Sequence, residues 1–218
     1  MDLVDVHVGK WKLSYMRDDQ WIGPWIARGV EWENWMRNDI KVGYRSGTDI
    51  LDIGGNVGCN ALMFSDYGPV HTFEPLFFDV LQKNASQNTT RHPVTVHPIG
   101  LSDETAEKQI YFPERQNGLR NYGGCSIKPE SGVHSAESKN IKVCRLDDVY
   151  SGTPSVMKID VEGNELEMLK GATKIILAHK PFIIIEIHDP SKSPVPEYLF
   201  SLGYKQMVER PHANYAFF

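Results

Sequence analysis

The sequence predicts an α/β fold: a mostly parallel sheet with helices on both faces, closed by an antiparallel pair of strands and preceded by a tryptophan-rich segment. Three observations predict it. From residue 48 onward, short apolar runs alternate with stretches of helical period, and that alternation calls for parallel strands joined by right-handed crossovers. The first apolar run meets the first helical stretch in a glycine turn, Gly54-Gly55-Asn56-Val57-Gly58. The last two apolar runs are separated only by Arg210-Pro211-His212, too short for a crossover, so that pair is antiparallel and the sheet is mixed.

Taken in order, all five tryptophans (Trp11, Trp21, Trp25, Trp32 and Trp35) precede residue 36. Gly23-Pro24 breaks any long helix there, and 30–38 reads as a short helix with Trp32, Trp35 and Met36 on one stripe. We take 1–47 as a cap segment and 48–218 as the core of a single domain. Strands are predicted over 48–53, 70–74, 94–99, 156–160 and 182–188, and helices over 58–65, 78–88 and 165–178. A helix over 196–202 precedes strands over 204–209 and 213–218. The segment 114–140 is rich in Gly, Ser, Asn and charge and lacks any period, which makes it a lid or substrate loop.

Composition narrows the function. The chain has 218 residues, and 23 basic against 28 acidic groups give a net charge of -5 with no Lys/Arg run, so nucleic acid is not expected as a partner. No apolar stretch approaches a membrane span, no signal-peptide pattern opens the chain, and three unpaired cysteines suit a reducing compartment. A cytoplasmic location follows as an expectation.

The glycine turn leaves a strand and opens a helix, bringing backbone close to a ligand at the carboxyl edge of the sheet. Its glycines stand at 54, 55 and 58, with Asn56 where the dinucleotide fingerprint has its second glycine. Twenty residues after Gly54, Glu74 ends the second strand, where a carboxylate can accept both hydroxyls of a ribose.

These residues, with Phe73-Glu74-Pro75, Leu101-Ser102-Asp103, Leu146-Asp147-Asp148, Lys158-Ile-Asp-Val-Glu-Gly-Asn-Glu165 and Pro181 through Glu186, resemble in order the FkbM family of S-adenosylmethionine-dependent methyltransferases. The resemblance spans 48 to about 190 and departs from the family at Gly100. It implies a class I methyltransferase (Rossmann-like) fold, with a seven-stranded sheet whose last strand is antiparallel, and O-methylation of a sugar or related glycosylated product. It also implies that Asp52, Gly54, Asn56 and Gly58 lie along the methionine part of S-adenosylmethionine, Glu74 on its ribose, and Ser102 and Asp103 beside adenine.

Methyl transfer to a hydroxyl needs alignment and either a base or a divalent cation such as magnesium to lower the hydroxyl's pKa. Asp160 closes one predicted strand and Glu186 with His188 the next, so all three converge on the edge carrying Asp52 and Glu74. Glu186 and His188, two apart, share a side if the strand persists. Direct base catalysis by His188, oriented by Glu186, with Asp160 positioning the acceptor, is the preferred reading. Glu162 and Glu165 also fit the role of favouring a helix start. Two other functions stay open: an NAD-dependent oxidoreductase, and a non-catalytic glycan-binding domain that keeps the fold.

Overall fold

The computed structural model describes residues 2–130 and 133–218. The chain opens with a hairpin, β1 (Leu3–Val8) and β2 (Trp11–Met16), turning at Gly9-Lys10. Helices α1 (Ile22–Ile26) and α2 (Met36–Gly43) follow. The helix expected over 30–38 is therefore displaced. Glu33 has a left-handed backbone (φ 49°), which a right-handed helix cannot absorb, so the helix starts at Met36.

The core runs β3 (Asp49–Ile53), α3 (Cys59–Phe64), β4 (Val70–Phe73), α4 (Phe78–Ser86) and β5 (Val94–His97). An excursion of β6 (Gly100–Leu101), β7 (Ala106–Pro113) and β8 (His134–Cys144) forms its own three-stranded sheet. The core resumes with α5 (Leu146–Val149), β9 (Pro154–Ile159), α6 (Glu165–Gly171), α7 (Thr173–His179), β10 (Phe182–Glu186), α8 (Val195–Ser201), β11 (Met207–Glu209) and β12 (Asn214–Phe217). The main sheet has seven strands in the order β11-β12-β10-β9-β3-β4-β5. β12, the last strand, is antiparallel to both its neighbours, and the rest are parallel. This is the class I methyltransferase arrangement the resemblance implied.

Alternation fixes the two faces. Leu51, Met157, Ile183 and Ile185 pack with α6, α7 and α8, whereas Ile50, Val156, Phe182 and Ile184 pack with α2 and α3. Burying each such side chain stabilises by roughly 1.5–3 kcal/mol, and a one-residue slip would invert both faces. The hairpin joins the core through Asn84, whose Nδ2 donates to the carbonyls of Ser14 (2.9 Å) and Val57 (2.7 Å) while its Oδ1 accepts from Ser14 N (2.7 Å).

Two expectations are corrected. The segment 114–140 is aperiodic only to 133, because 134–140 begins the long strand β8, whose first residues are solvated on both faces and so carry no hydrophobic period. The single helix over 165–178 is two, broken at Ala172. Gly171 lies so close to the Ser102 carbonyl that a Cβ there would collide with it, and Asp147 starts the second helix by accepting from Lys174 N (3.0 Å) and Ile175 N (3.1 Å).

Candidate active site

A cavity of about 670 Å³ opens at the carboxyl ends of β3, β4, β9 and β10, where parallel strands leave a crevice. The glycine turn forms its floor. Gly54 (φ 87°) and Gly58 (φ 89°) take left-handed backbone, and a Cβ on Gly54 would strike the Asp160 carbonyl, so this position needs glycine for both reasons. Gly54 N and Gly55 N donate to the Phe73 carbonyl (3.0 and 3.2 Å), pinning the turn to the end of β4.

Glu74, 6% exposed, lines this cavity. Its Oε2 accepts from Asn56 N (2.9 Å), and its Oε1 accepts from Leu76 N (2.7 Å) and Phe77 N (3.0 Å). Burial pushes the carboxyl up to about 7, against the pull of those three amides. Oε2 keeps a lone pair for a ribose hydroxyl. Asn56 lines the same space in left-handed backbone (φ 48°), and its buried Oδ1 has no partner among the described residues. A glycine cradle that admits no Cβ, a buried acid with acceptor capacity to spare and an orphaned amide oxygen together fit a nucleoside bearing a donor-rich tail.

The remaining residues read from the sequence as cofactor-binding sit differently. Asp52, 1% exposed, is behind the turn rather than on the cavity, accepting from Thr72 Oγ1 (3.0 Å), and burial raises its carboxyl to about 6. A side chain at Gly55 would meet both Thr72 and Asp52. Ser102 is fully buried and bonded to Asp103 Oδ1 (3.3 Å), and neither residue lines the cavity, although Gly100 and Leu101 just before them do.

Asp160, Glu186 and His188 are brought together as expected from strand order, all on the cavity. β10 ends at Glu186, yet His188 Nε2 lies 3.7 Å from Glu186 Oε2. It is also 3.7 Å from Glu162 Oε2. Burial raises Asp160, but the Lys158 ammonium, 2.9 Å from its Oδ2, and a hydrogen bond from Glu186 outweigh it and hold the carboxyl below its ordinary value. Burial and the neighbouring Asp160 and Glu162 carboxylates push Glu186 up to about 9, so it is a neutral acid at pH 7. The ion pair with Glu162, then Glu186, raises His188 to about 9 despite desolvation. Its imidazole is 71% exposed, so solvent screens these contacts.

Glu162, Glu186 and His188 could each bring one ligand atom within 4.8 Å of the others. Two of the three carry protons near neutrality, which a cation would have to displace, and an imidazole ligand suits transition metals better than magnesium. Sequence reasoning missed Glu33, Asn60 and Asn164 as lining residues; Glu33 and Asn60 belong to no recognisable spacing, whereas Asn164 lies within the 158–165 motif without having been singled out. Trp21 (58% exposed) and Trp32 stand on the cavity's rim. Opposite them, Tyr122 donates to Asp18 Oδ1 (3.0 Å), and Arg115 pairs with Asp18 Oδ2 (2.5 Å), tying 114–130 to the cap.

Comparisons with known proteins point the same way as this geometry. The family model described as Methyltransferase FkbM domain matches residues 52–205. "Hexuronic acid methyltransferase AglP" of Haloferax volcanii is 35% identical over 149 residues, covering 64% of this chain and 56% of its own. "Methyltransferase sdnD" of Sordaria araneosa is 26% identical, covering 65% and 67%. The crystal structure of methyltransferase FkbM from Methylobacillus flagellatus superimposes with a TM-score of 0.56 at 22% identity, over 78% of this chain and 43% of that one. The chain thus spans little more than half of AglP and less than half of the solved protein.

Proposed function

Since the chain belongs to the FkbM methyltransferase domain family, we propose that it is an S-adenosylmethionine-dependent O-methyltransferase acting on a hydroxyl of a sugar or glycan. One observation carries this reading: the glycine turn, Glu74 and the set Asp160, Glu186 and His188 face a single cavity, so a cofactor cradle and an acid-base group share one space. The sugar acceptor draws its support from the similarity to AglP, a hexuronic acid methyltransferase, and from the tryptophans on the rim, whose flat faces suit pyranose rings. A net charge of -5 favours such an acceptor over nucleic acid.

S-adenosylmethionine, when bound, supplies a methyl group on a sulfonium whose sulfur leaves with the bonding pair. The chain's own residues do the rest. Gly54 to Gly58 and Glu74 hold the nucleoside end. Asp160, ionised and anchored by Lys158, accepts the acceptor hydroxyl's hydrogen bond and fixes its direction. His188 in its neutral form takes the proton as the new bond to carbon forms. Glu186, whose pKa burial and the Asp160 and Glu162 charges raise, donates to Asp160 while it keeps its proton. Cys59, whose thiol burial pushes up to about 12, has no part, because an in-line displacement needs no covalent enzyme intermediate.

The test is mass spectrometry of candidate sugars and uronic acids incubated with the protein and methyl-labelled cofactor. Label on a sugar oxygen supports the reading. Label found only on protein or nucleic acid, with the same cofactor consumed, overturns the acceptor class.

A further inference from the structure

Glu33 lies outside the matched family segment, and no part of the catalytic scheme uses it. It is nevertheless one of the most constrained residues of the cap. Its backbone is left-handed (φ 49°), a conformation that is costly for a non-glycine residue and persists only where the surroundings impose it. Its side chain is buried (9% exposed) and yet lines the cavity. The surroundings that impose it are visible: Met36 N donates to the Glu33 carbonyl (3.0 Å), and α2 is clamped to the turn after β11 by the two-pronged Arg210–Asp39 pair (2.6 and 2.8 Å).

The polar groups around the Glu33 carboxylate are out of balance. Asn60 Nδ2 donates to Oε2 (2.8 Å) and Asn214 Nδ2 approaches Oε1 (3.5 Å), but no cationic side chain pairs with it among the described residues. The amide oxygens of Asn56, Asn60 and Asn214 are all buried without a partner among the described residues. Asn56 and Asn60 line the same cavity. Such a group is rich in acceptors and short of donors, which is the complement of a primary ammonium with its three N–H bonds.

Location then selects the ligand. Glu33 bonds to Asn60, in the first turn of α3 just past the glycine turn, and to Asn214, which pairs with Glu186 at the carboxyl end of β10, so it stands on the β9–β10 side of that turn. Glu74 stands at the end of β4, on the other side of the glycine turn. A nucleoside held by Glu74 therefore directs its tail across β3 toward β9, where Glu33 waits. We propose that Glu33, with the Oδ1 atoms of Asn56 and Asn60, binds the α-ammonium of the methionine moiety of S-adenosylmethionine, so that the cap segment completes the cofactor site.

This inference rests on the cofactor reading above, and binding measurements keep the two apart. Calorimetry would compare S-adenosylhomocysteine, which has the ammonium, with 5′-methylthioadenosine, which lacks the amino-acid tail, on the wild type, Glu33→Gln and Asn60→Leu. Expected for Glu33→Gln is a loss of about tenfold for S-adenosylhomocysteine with a change of less than twofold for methylthioadenosine, the range of one charge-assisted hydrogen bond. Asn60→Leu should shift the same ratio in the same direction. An unaltered thermal midpoint without ligand would show that the variants are folded. Equal weakening of both ligands, or of neither, overturns the assignment. Unchanged cofactor affinity with a raised KM for an amino-sugar acceptor would give Glu33 to the acceptor and likewise overturn it. A wild type that binds neither nucleoside would bring down the cofactor reading itself.

Discussion

Asp52 and Lys158 are cross-strand partners on β3 and β9, and the Lys158 ammonium, on a side chain only 2% exposed, lies 2.9 Å from Asp160 Oδ2. One buried cation thus serves two acids, one behind the glycine turn and one in the cavity. Although burial lowers its pKa, the Asp160 and Glu33 charges hold it above the ordinary lysine value.

Replacing Lys158 by Met should therefore destabilise the protein by about 3–5 kcal/mol, the cost of leaving a buried charge unpaired. Adding Asp160→Asn should recover a large part of that loss. Urea denaturation of the two single variants and the double variant at pH 7 measures both; a Lys158→Met protein within about 1 kcal/mol of wild type would show that the pair carries no such coupling.

Glu74, proposed to hold the ribose, also holds the turn, because the same carboxylate that faces the cavity accepts from Asn56, Leu76 and Phe77. Glu74→Ala is expected to weaken S-adenosylhomocysteine at least tenfold by calorimetry and also to lower the thermal midpoint without ligand. A variant with normal affinity and a lowered midpoint would restrict Glu74 to holding the turn.

Much of this arrangement was legible in the sequence, for physical reasons that differ by region. β3, β4, β9 and β10 are largely buried on both faces, so they read as short apolar-rich runs, Phe182–Ile185 the most continuous of them, and chain order alone placed Asp160 and Glu186 on one edge. The hairpin β1–β2 lies outside the elements expected from the sequence, although Val4, Val6 and Val8 alternate before Gly9-Lys10. Glu33 and Asn60 carry no local signal, since what places them in the cavity is tertiary packing. Asp52 shows the opposite failure: its position in the motif implied cofactor contact, whereas its pairing with Thr72 and its place next to Lys158 give it a supporting position.

Trp21 tests the acceptor side. Trp11 and Leu13 are core residues, so removing the whole cap would unfold the chain. Trp21 is exposed on the rim, and Trp21→Ala is expected to raise KM for the sugar severalfold without altering S-adenosylhomocysteine affinity. Unchanged KM in steady-state assays would remove the rim from acceptor recognition.

Glu186 should leave its mark on the pH dependence of stability. Its folded value, about 9, lies above the ordinary 4.5, so the unfolded chain releases this proton first. The stabilisation it contributes is complete below about pH 4.5 and is lost as pH rises through 9. His188, raised from 6.5 to about 9, has the same sign over the upper part of that window. The ligand-free protein should then lose thermal stability from pH 6 to pH 9. Glu186→Gln, which mimics the neutral acid, should flatten that fall by up to about 1 kcal/mol per pH unit. A parallel curve for the variant would show that Glu186 ionises normally.

His188 gives the sharpest test of the chemistry. As the proposed base it would act only when neutral, and its contacts with Glu162 and Glu186 raise its pKa to about 9. Turnover at saturating substrates should therefore rise with pH from 6.5 through about 9, where half of the imidazole is neutral, and level off only above that. Glu162→Gln removes the carboxylate 3.7 Å away and should shift the rising limb to lower pH. His188→Ala and Asp160→Asn should each lower turnover about a hundredfold, the range for losing a general base or its aligning partner, while leaving cofactor affinity nearly intact. A chelator should leave the profile in place. A profile flat from pH 6.5 to 9.5 in the wild type would exclude His188 as the base, and abolition of turnover by chelator with rescue by added divalent metal would move hydroxyl activation to a cation held by Glu162, Glu186 and His188.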